Sequence, residues 1–453
     1  MTVFPTTLLE SLKSAARPAC NGRVTRVVGL RVEVEGIEAA VSDAVLIRRP
    51  DGTTLPAEIV AIQGQSLACM PLGELRGVRF GDKVESSGGP LLLRVGEGLL
   101  GRVLDGLGSP IDDGPPLRNF EEVSVVAEPP HPLRRELVNQ QLPLGVRAID
   151  TAIPCGRGQR LGIFAGSGVG KSSLLSMIVR GTTAPVCVLA LIGERGREVS
   201  EFIQRDLGPE GLAHSVVVVA TSDQPALVRI RASFTATRIA EWFRDQGNDV
   251  VLMMDSLTRF AMAQREVGLS AGEPPATRGY PPSVFSLLPQ LLERAGAAER
   301  GSITGLYTVL VEGDDMNEPI ADAARSILDG HLVLSRRLST AGHFPSIELL
   351  DSISRVESAI LSVEQRRLVT ELRQLLAAYR DNKDLIEIGA YSSGANRLTD
   401  RAIELAPLID AFLRQDRLVP APIEHSWAML EALLTPAGAV AATGLEGTTE
   451  GAS

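Results

Sequence analysis

Short alternating or β-branched runs, separated by Gly, Asp and Pro, fill residues 22–94. This spacing is typical of short strands and predicts a small β-barrel. The runs lie at residues 23–28, 31–34, 44–47 and 58–62. Turn residues at 101–110 (GRVLDGLGSP) and 129–132 then indicate a linker into the next unit.

Between about residues 145 and 356, apolar runs typical of strands alternate with helical patterns. Strands separated by helices favour parallel pairing, because each crossover helix returns the chain to the end of the sheet at which the previous strand began. We therefore predict a mostly parallel sheet covered by helices. The strand-like runs lie at 161–165, 186–192, 215–220, 250–254, 303–310 and 332–334.

Helical periodicity marks both ends of the chain. Leucines at positions 8, 9 and 12 predict a short amphipathic helix over residues 1–18, which either docks on its own domain or binds a partner. Runs at 363–379 and 396–412, rich in Leu, Arg and Glu, predict a helical C-terminal domain. A tail of small residues follows from Pro436.

Composition limits the possible partners and compartment. The chain has 45 Lys and Arg residues and 55 Asp and Glu residues, and the resulting net charge of −10 disfavours nucleic acid as a partner. Cys20, Cys69, Cys155 and Cys187 form no CxxC pair, which indicates a reducing, cytosolic compartment. No run approaches ~18 apolar residues and no signal peptide is evident, so we expect only peripheral membrane association.

A phosphate-binding loop follows the run at 161–165. Glycines there let backbone N–H groups surround phosphate oxygens, and the following helix adds its positive N-terminal dipole. Lys171 would reach the terminal phosphates, and Ser172 would offer its hydroxyl to Mg²⁺. The predicted nucleotide contacts are Ala165, Gly166, Ser167, Gly168, Val169, Gly170, Lys171, Ser172 and Ser173.

Acidic residues follow two more of the predicted strands. Glu194, in GERGRE at 193–198, is placed to orient and deprotonate the attacking water, and Arg195 to meet phosphate charge. An exposed charged loop is the competing interpretation of this segment. Asp255 directly follows the apolar run at 250–254, which is the pattern of a Walker B strand. Its carboxylate would fix the water shell of Mg²⁺.

Six motifs together resemble those of the flagellar and virulence type III protein-export ATPases, which are relatives of rotary ATP synthase catalytic subunits. The resemblance covers nearly the whole chain and weakens in the first twenty residues and beyond about Gln415. The motifs are GRVLDGLGSPID (101–112), GVRAIDTAIPCGRGQRLGIFAGSGVGKSS (145–173), GERGREV (193–199), MDSLTRFAMAQ (254–264), GSITGLYTVLVEGDDMNEP (301–319) and DGHLVLSR (329–336).

The resemblance also implies roles for individual residues. Glu194 matches the catalytic carboxylate, where a non-catalytic rotary subunit would carry Gln. Arg195 and Arg259 match supporting charges on the phosphate side, and Arg355 matches an arginine finger that acts on a neighbouring subunit. Without the resemblance, Arg355 would be interpreted as a surface ion-pair partner. Phe344 lies where relatives carry an aromatic that stacks on adenine.

The implied fold is α/β, with a RecA-like P-loop core, an N-terminal β-barrel and a C-terminal helical domain, assembled as a homohexamer with ATP between subunits. We expect five segments along the chain. They are a partner-binding helix at 1–21, the β-barrel at 22–95, the RecA-like nucleotide-binding domain at 96–360, the helical domain at 361–436 and a flexible tail at 437–453.

The implied function is hydrolysis of Mg-ATP to drive chaperone release, unfolding and export of proteins. The implied partners are a stator-like regulator at the N-terminal segment, export substrates, their chaperones and the export gate. The implied location is the cytoplasm, peripheral at the cytoplasmic face of the inner membrane.

Segments 165–172 and 322–330 favour the flagellar over the virulence branch. A rotary ATP synthase catalytic subunit and an RNA-translocating RecA-like hexamer are the competing functional classes. A rotary subunit would need unlike partner subunits at its interface. The RNA-translocating class is disfavoured because residues 22–94 offer no aromatic and basic stacking surface.

Overall fold

The computed structural model describes residues 21–311 and 315–435. The predicted helix over residues 1–18 and the predicted tail at 437–453 lie outside the described residues. None of the helices within those two described ranges combines the length and the apolar character needed to cross a bilayer.

Six antiparallel strands close into a barrel in the order β1-β2-β5-β4-β3-β6. Inward and outward positions alternate at the start of β1, where Val24 is fully buried between the exposed Arg23 and the half-buried Thr25. The predicted barrel is confirmed, although the sequence patterns predicted only its first four strands. The strands are β1 (Asn21–Val28), β2 (Arg31–Glu35), β3 (Asp43–Arg48), β4 (Thr54–Gln63), β5 (Ser66–Pro71) and β6 (Lys83–Pro90).

The segment after the barrel contains strands as well as turns. β7 (Leu92–Val95) and β9 (Glu121–Ser124) pair as a separate antiparallel ribbon. Between them, β8 (Val103–Asp105) forms one edge of the central sheet. The expectation of a simple turn-rich linker at 101–110 was therefore wrong, because a strand of three residues is too short to produce a recognisable alternation.

The central sheet has nine strands, eight of them in the order β17-β16-β10-β15-β13-β11-β12-β8, with β14 paired to β15. Every neighbouring pair from β16 to β8 is parallel, which confirms the predicted mostly parallel sheet. The strands after β9 are β10 (Arg160–Ala165), β11 (Val186–Ile192), β12 (Ser215–Ala220), β13 (Asp249–Asp255), β14 (Gly296–Ala297), β15 (Ser302–Leu310), β16 (Gly330–Leu334) and β17 (Ile353–Ser354).

Helices cover both faces of this sheet. In β11, Val188 belongs to one buried cluster and Leu189 to the other, so a continuous apolar run suits a strand that is covered on both sides. The helices before the C-terminal domain are α1 (Arg147–Ala152), α2 (Lys171–Gly181), α3 (Gly196–Glu201), α4 (Gly208–Ala213), α5 (Ala226–Asp245), α6 (Leu257–Ala271), α7 (Pro282–Leu292), α8 (Pro319–Ile327), α9 (Arg336–Thr340) and α10 (Glu357–Ile360).

Three longer helices form the C-terminal domain: α11 (Val363–Glu387), α12 (Arg397–Leu413) and α13 (Ile423–Leu434). Ser362 and Gln365 form a capping box at the start of α11. The side chain of each residue accepts a hydrogen bond from the backbone N–H of the other. The domain joins the buried cluster on one face of the central sheet. The predicted helical domain is confirmed. It also contains α13, a helix that the sequence patterns did not predict.

Candidate active site

The predicted phosphate-binding loop connects β10 to α2, which begins at Lys171. Gly168 and Gly170 have φ values of 74° and 93°, a left-handed conformation that residues with a Cβ rarely adopt. The side chain of Val169 is buried, and its carbonyl accepts a hydrogen bond of 2.6 Å from Ser346 Oγ. The hydrogen bond from Ser346 therefore fixes the loop on its buried side. The residues that follow present their N–H groups at the helix N-terminus.

Three predicted residues converge beside this loop. Lys171 Nζ lies 2.5 Å from Asp255 Oδ1 and 3.6 Å from Glu194 Oε1. Thr308 on β15 donates to the same Asp255 oxygen over 2.7 Å. These residues meet because the parallel strands β10, β11 and β13 end at one edge of the sheet, where ligands of open α/β sheets bind.

Glu194 is held in an environment that disfavours its charge. Its Oε1 atom is buried and accepts no hydrogen bond among the described residues. Burial, reinforced by the negative charge of Asp255, raises the pKa of Glu194 above the ordinary range, although Lys171 opposes the shift. A carboxylate with a raised pKa and an unsatisfied oxygen is suited to accept a proton from water.

Two of the predicted arginines, Arg195 and Arg259, lie beside the phosphate-binding loop. Arg259 packs against Gly193, where an added Cβ would lie only 3.1 Å from the Cβ of Arg259. Its Nε atom is buried without a hydrogen-bond partner in the described part of the chain. Arg195 is mostly exposed and pairs with Glu198 over 2.8 Å. Both arginines line the same cavity as Lys171.

A cavity of about 700 Å³ joins the loop to these side chains. Leu310, Val311 and Arg336 contribute to its wall beyond the predicted residues. Ala165 lines the adjoining cavity on the β16 side. The predicted residues that line the main cavity are Gly166, Ser167, Gly168, Gly170, Lys171, Ser172, Ser173, Glu194, Arg195 and Arg259.

The neighbouring oxygen atoms suit a magnesium ion. Ser172, Glu194 and Asp255 line a second, smaller cavity of about 250 Å³. A hydroxyl and a carboxylate are hard oxygen ligands of the kind that Mg²⁺ prefers. The donor set around Ser172 and Asp255 therefore fits this ion.

The ring of Phe344 lies beside Gly170 of the phosphate-binding loop. A Cβ added to Gly170 would lie 3.5 Å from the Phe344 ring, and this ring is 45% exposed. The carbonyl of Phe344 accepts a hydrogen bond of 2.9 Å from the Gln415 N–H, which ties this turn to the C-terminal domain. An exposed aromatic ring beside the loop is available for stacking against a base.

Arg355 is separated from the rest of the predicted residues. It follows β17, is exposed, and does not line the cavity beside Lys171. Its Nη2 atom donates to the carbonyl of Arg325 over 3.2 Å.

The sequence interpretation missed three residues of the site. Arg336 at the start of α9 lines the cavity, and its side chain makes no hydrogen bond or ion pair within the described residues. Glu198, in the first turn of α3, lines the same cavity, and Thr308 contacts Asp255. Glu198 belongs to the motif GERGREV, so its spacing from Glu194 within that motif was an available signal.

Three family models match consecutive parts of the chain. The β-barrel domain of the ATP synthase alpha/beta family matches residues 24–88, and its nucleotide-binding domain matches 145–354. The C-terminal domain of the type III secretion ATPase EscN matches residues 361–432.

Curated relatives and solved structures agree with these matches. The flagellum-specific ATP synthase of Bacillus subtilis is 51% identical over 414 residues, which cover 91% of this chain and 94% of the relative. The type 3 secretion system ATPase of Xanthomonas euvesicatoria is 48% identical with the same coverage. The assembled ATPase EscN of enteropathogenic E. coli superposes with a TM-score of 0.87 at 46% identity, covering 91% of this chain and all of that one.

The high identity extends across the barrel, the nucleotide-binding domain and the helical domain, so the likeness concerns the whole architecture as well as the phosphate-binding loop. We conclude that the chain belongs to the family of flagellar and type III secretion ATPases and is an ATP-hydrolysing enzyme.

Proposed function

We propose that the chain hydrolyses Mg-ATP at the interfaces of a homohexamer, and that hydrolysis drives chaperone release, unfolding and export of proteins through a flagellar-type apparatus. One observation carries the proposal. Lys171 lies 3.6 Å from Glu194 and 2.5 Å from Asp255, whereas Arg355 is exposed elsewhere on the same chain. A site with its phosphate-binding groups together and its finger directed outward suits completion by a neighbouring copy.

In the proposed reaction, Lys171 and the backbone N–H groups of the loop hold the terminal phosphates of ATP. Ser172 and Asp255 would hold Mg²⁺, which when bound neutralises charge on the phosphates. Glu194 orients a water molecule and accepts its proton as the water oxygen attacks the γ-phosphorus. The bond between that phosphorus and the β–γ bridging oxygen breaks, and ADP and phosphate leave.

The arginines stabilise the charge that spreads over the transferred phosphoryl group. Arg195 and Arg259 act from the same chain. Arg355 acts from the neighbour, where such a finger contributes about a thousandfold or more in rate. Phe344 stacks on the adenine.

Assembly and regulation are proposed by analogy with EscN. Solved structures contain EscN in its assembled form and in complex with its central stalk EscO. We propose a homohexamer for this chain, with residues 1–21 binding a stator-like regulator. Deleting residues 1–18 should then abolish regulator binding while intrinsic hydrolysis persists, and retained binding would refute this assignment.

We propose residues 22–95, 96–360 and 361–436 as the barrel, core and helical domains. The proposed place of action is the cytoplasmic face of the inner membrane, beside the export gate, with export substrates and chaperones as partners. The flagellar role is tested by expressing the chain in a bacterium that lacks its flagellar ATPase. Restored swimming supports the flagellar assignment. Absence of swimming, together with restored secretion in a second strain that lacks its virulence-type ATPase, excludes it.

The enzymatic core of the proposal is tested by two variants. Lys171→Ala should lose both ATP binding and turnover, since it removes the cation that meets the phosphates. Glu194→Gln should bind ATP but not hydrolyse it. Unchanged turnover in Glu194→Gln would remove that residue from its proposed role.

A further inference from the structure

We propose that Gln159 is a positioning residue for Arg355. The inference rests on the proposed function, in which Arg355 completes the ATP site of a neighbouring copy. It adds a residue that contacts neither nucleotide nor cavity, and that acts by fixing the backbone from which the finger extends.

Gln159 is fully buried just before β10. Its Nε2 atom donates to the carbonyl of Asp329 over 3.0 Å and to Ser354 Oγ over 3.1 Å. Its Oε1 atom accepts from the Gly156 N–H over 2.8 Å. Both ends of the amide are therefore satisfied, and its orientation is determined by these partners.

The same carbonyl of Asp329 accepts the backbone N–H of Arg355 over 3.0 Å. Ser354, which receives the second hydrogen bond from Gln159, directly precedes Arg355 in the chain. The buried amide of Gln159 thus donates both to Ser354, the residue before the finger, and to the Asp329 carbonyl that accepts the backbone N–H of the finger.

Neighbouring contacts support the same segment from the opposite side. The Asp329 carboxylate accepts from the backbone N–H and the Nε atom of Arg160, each over 3.0 Å. At Gly330 an added Cβ would lie 2.5 Å from the carbonyl of Ile353, so β17 approaches as closely as a glycine allows. The backbone of the finger is therefore fixed more firmly than its exposed side chain, which donates to the carbonyl of Arg325.

Loss of the amide would loosen the segment that carries the finger, and would also leave the Gly156 N–H without this acceptor. A methionine at position 159 has similar length but donates nothing, so the buried Ser354 hydroxyl loses its partner and the segment can shift. Displacement of a transition-state group by about 1 Å can reduce a rate roughly a hundredfold. Because the finger acts on a neighbour, the defect should lower kcat without weakening ATP binding to the chain's own loop.

The test is a double-mutant cycle with Gln159→Met and Arg355→Ala, measured as kcat and KM of the full chain at assembling concentrations. Gln159→Met should lower kcat by about tenfold or more with KM unchanged, and should cause no further loss in the Arg355→Ala background. A merely structural defect would lower kcat by the same factor in both backgrounds, and that result would overturn the proposal.

Thr304→Val is the matched control. Thr304 is equally buried and accepts the neighbouring Gly158 N–H over 2.9 Å, but it makes no bond to the finger segment, so kcat should be retained. If Gln159→Met does not fold, Ser354→Ala replaces it in the same cycle, and additivity there overturns the proposal equally. If Arg355→Ala alone leaves kcat unchanged, the finger of the proposed function fails, which is distinguishable from failure of Gln159.

Discussion

Lys171 Nζ lies 2.5 Å from Asp255 Oδ1, so the cation of the phosphate-binding loop is paired with the acid that ends β13. Both groups are largely buried, and Thr308 donates to the same carboxylate oxygen. A phosphate that reaches Lys171 must therefore compete with Asp255. In the proposed reaction, a bound Mg²⁺ would give this carboxylate another partner.

This pairing predicts opposite effects of one substitution with and without metal. Asp255→Asn frees Lys171 and removes a negative charge, so ATP should bind about tenfold more tightly in EDTA. The additional affinity that Mg²⁺ confers on the wild type should disappear in the variant. Titration with a fluorescent ATP analogue measures both constants, and weaker binding of the variant in EDTA would contradict the competition.

Glu194, which precedes α3, and Glu198, in the first turn of α3, should contribute unequally. Glu194→Gln should reduce kcat by roughly a hundredfold to ten-thousandfold, since it removes the general base. Glu198→Gln is the matched control, because this side chain lines the same cavity but pairs with Arg195. Single-turnover hydrolysis separates the two effects, and equal losses would mean that neither residue is specifically the base.

The pH profile of kcat/KM should report the environment of Glu194. Burial first, and then Asp255, raise the pKa of this group, and a base is active only when unprotonated. Activity should therefore fall as the pH drops through a value above about 4.3, the ordinary pKa of glutamate. Because Glu198 also raises the pKa of Glu194, the acid limb should move to lower pH in Glu198→Gln, and a shift to higher pH would contradict the assignment.

A buried ion pair away from the site should dominate the stability of the central domain. Arg294 binds Glu241 through two hydrogen bonds of 2.6 and 2.7 Å, with side chains only 3% and 1% exposed. Arg294→Met leaves Glu241 charged and poorly paired, so the free energy of unfolding should fall by about 3–5 kcal/mol. Urea denaturation measures the loss, and Arg367→Met, in an exposed pair, should change little.

The sequence was sufficient to predict most of the central sheet because core strands such as β11, β12 and β13 are nearly continuous apolar runs. Val186–Ile192 is buried at every position, so its boundaries could be predicted from hydrophobicity alone. The common location of Lys171, Glu194 and Asp255 followed in outline, since parallel strands deliver the residues after them to the same end of the sheet. The ion pair between Lys171 and Asp255 was not predicted.

Some features depend on tertiary contacts that leave little pattern in the sequence. β6 (KVESSGGP) is mostly polar and becomes a strand because it closes the barrel between β1 and β3. β8 is only three residues long and is defined by its pairing with β12. The place of Arg336 on the cavity wall depends on the start of α9, which local periodicity does not reveal.

The most direct test of a shared, inter-subunit site is the ATPase rate per chain measured against protein concentration, with wild type beside Arg355→Ala. The account predicts a steep rise for the wild type as subunits assemble, and a low rate at every concentration for the variant. A specific activity that stays flat with concentration and is insensitive to Arg355→Ala would mean that one chain contains the complete site, which would contradict the account.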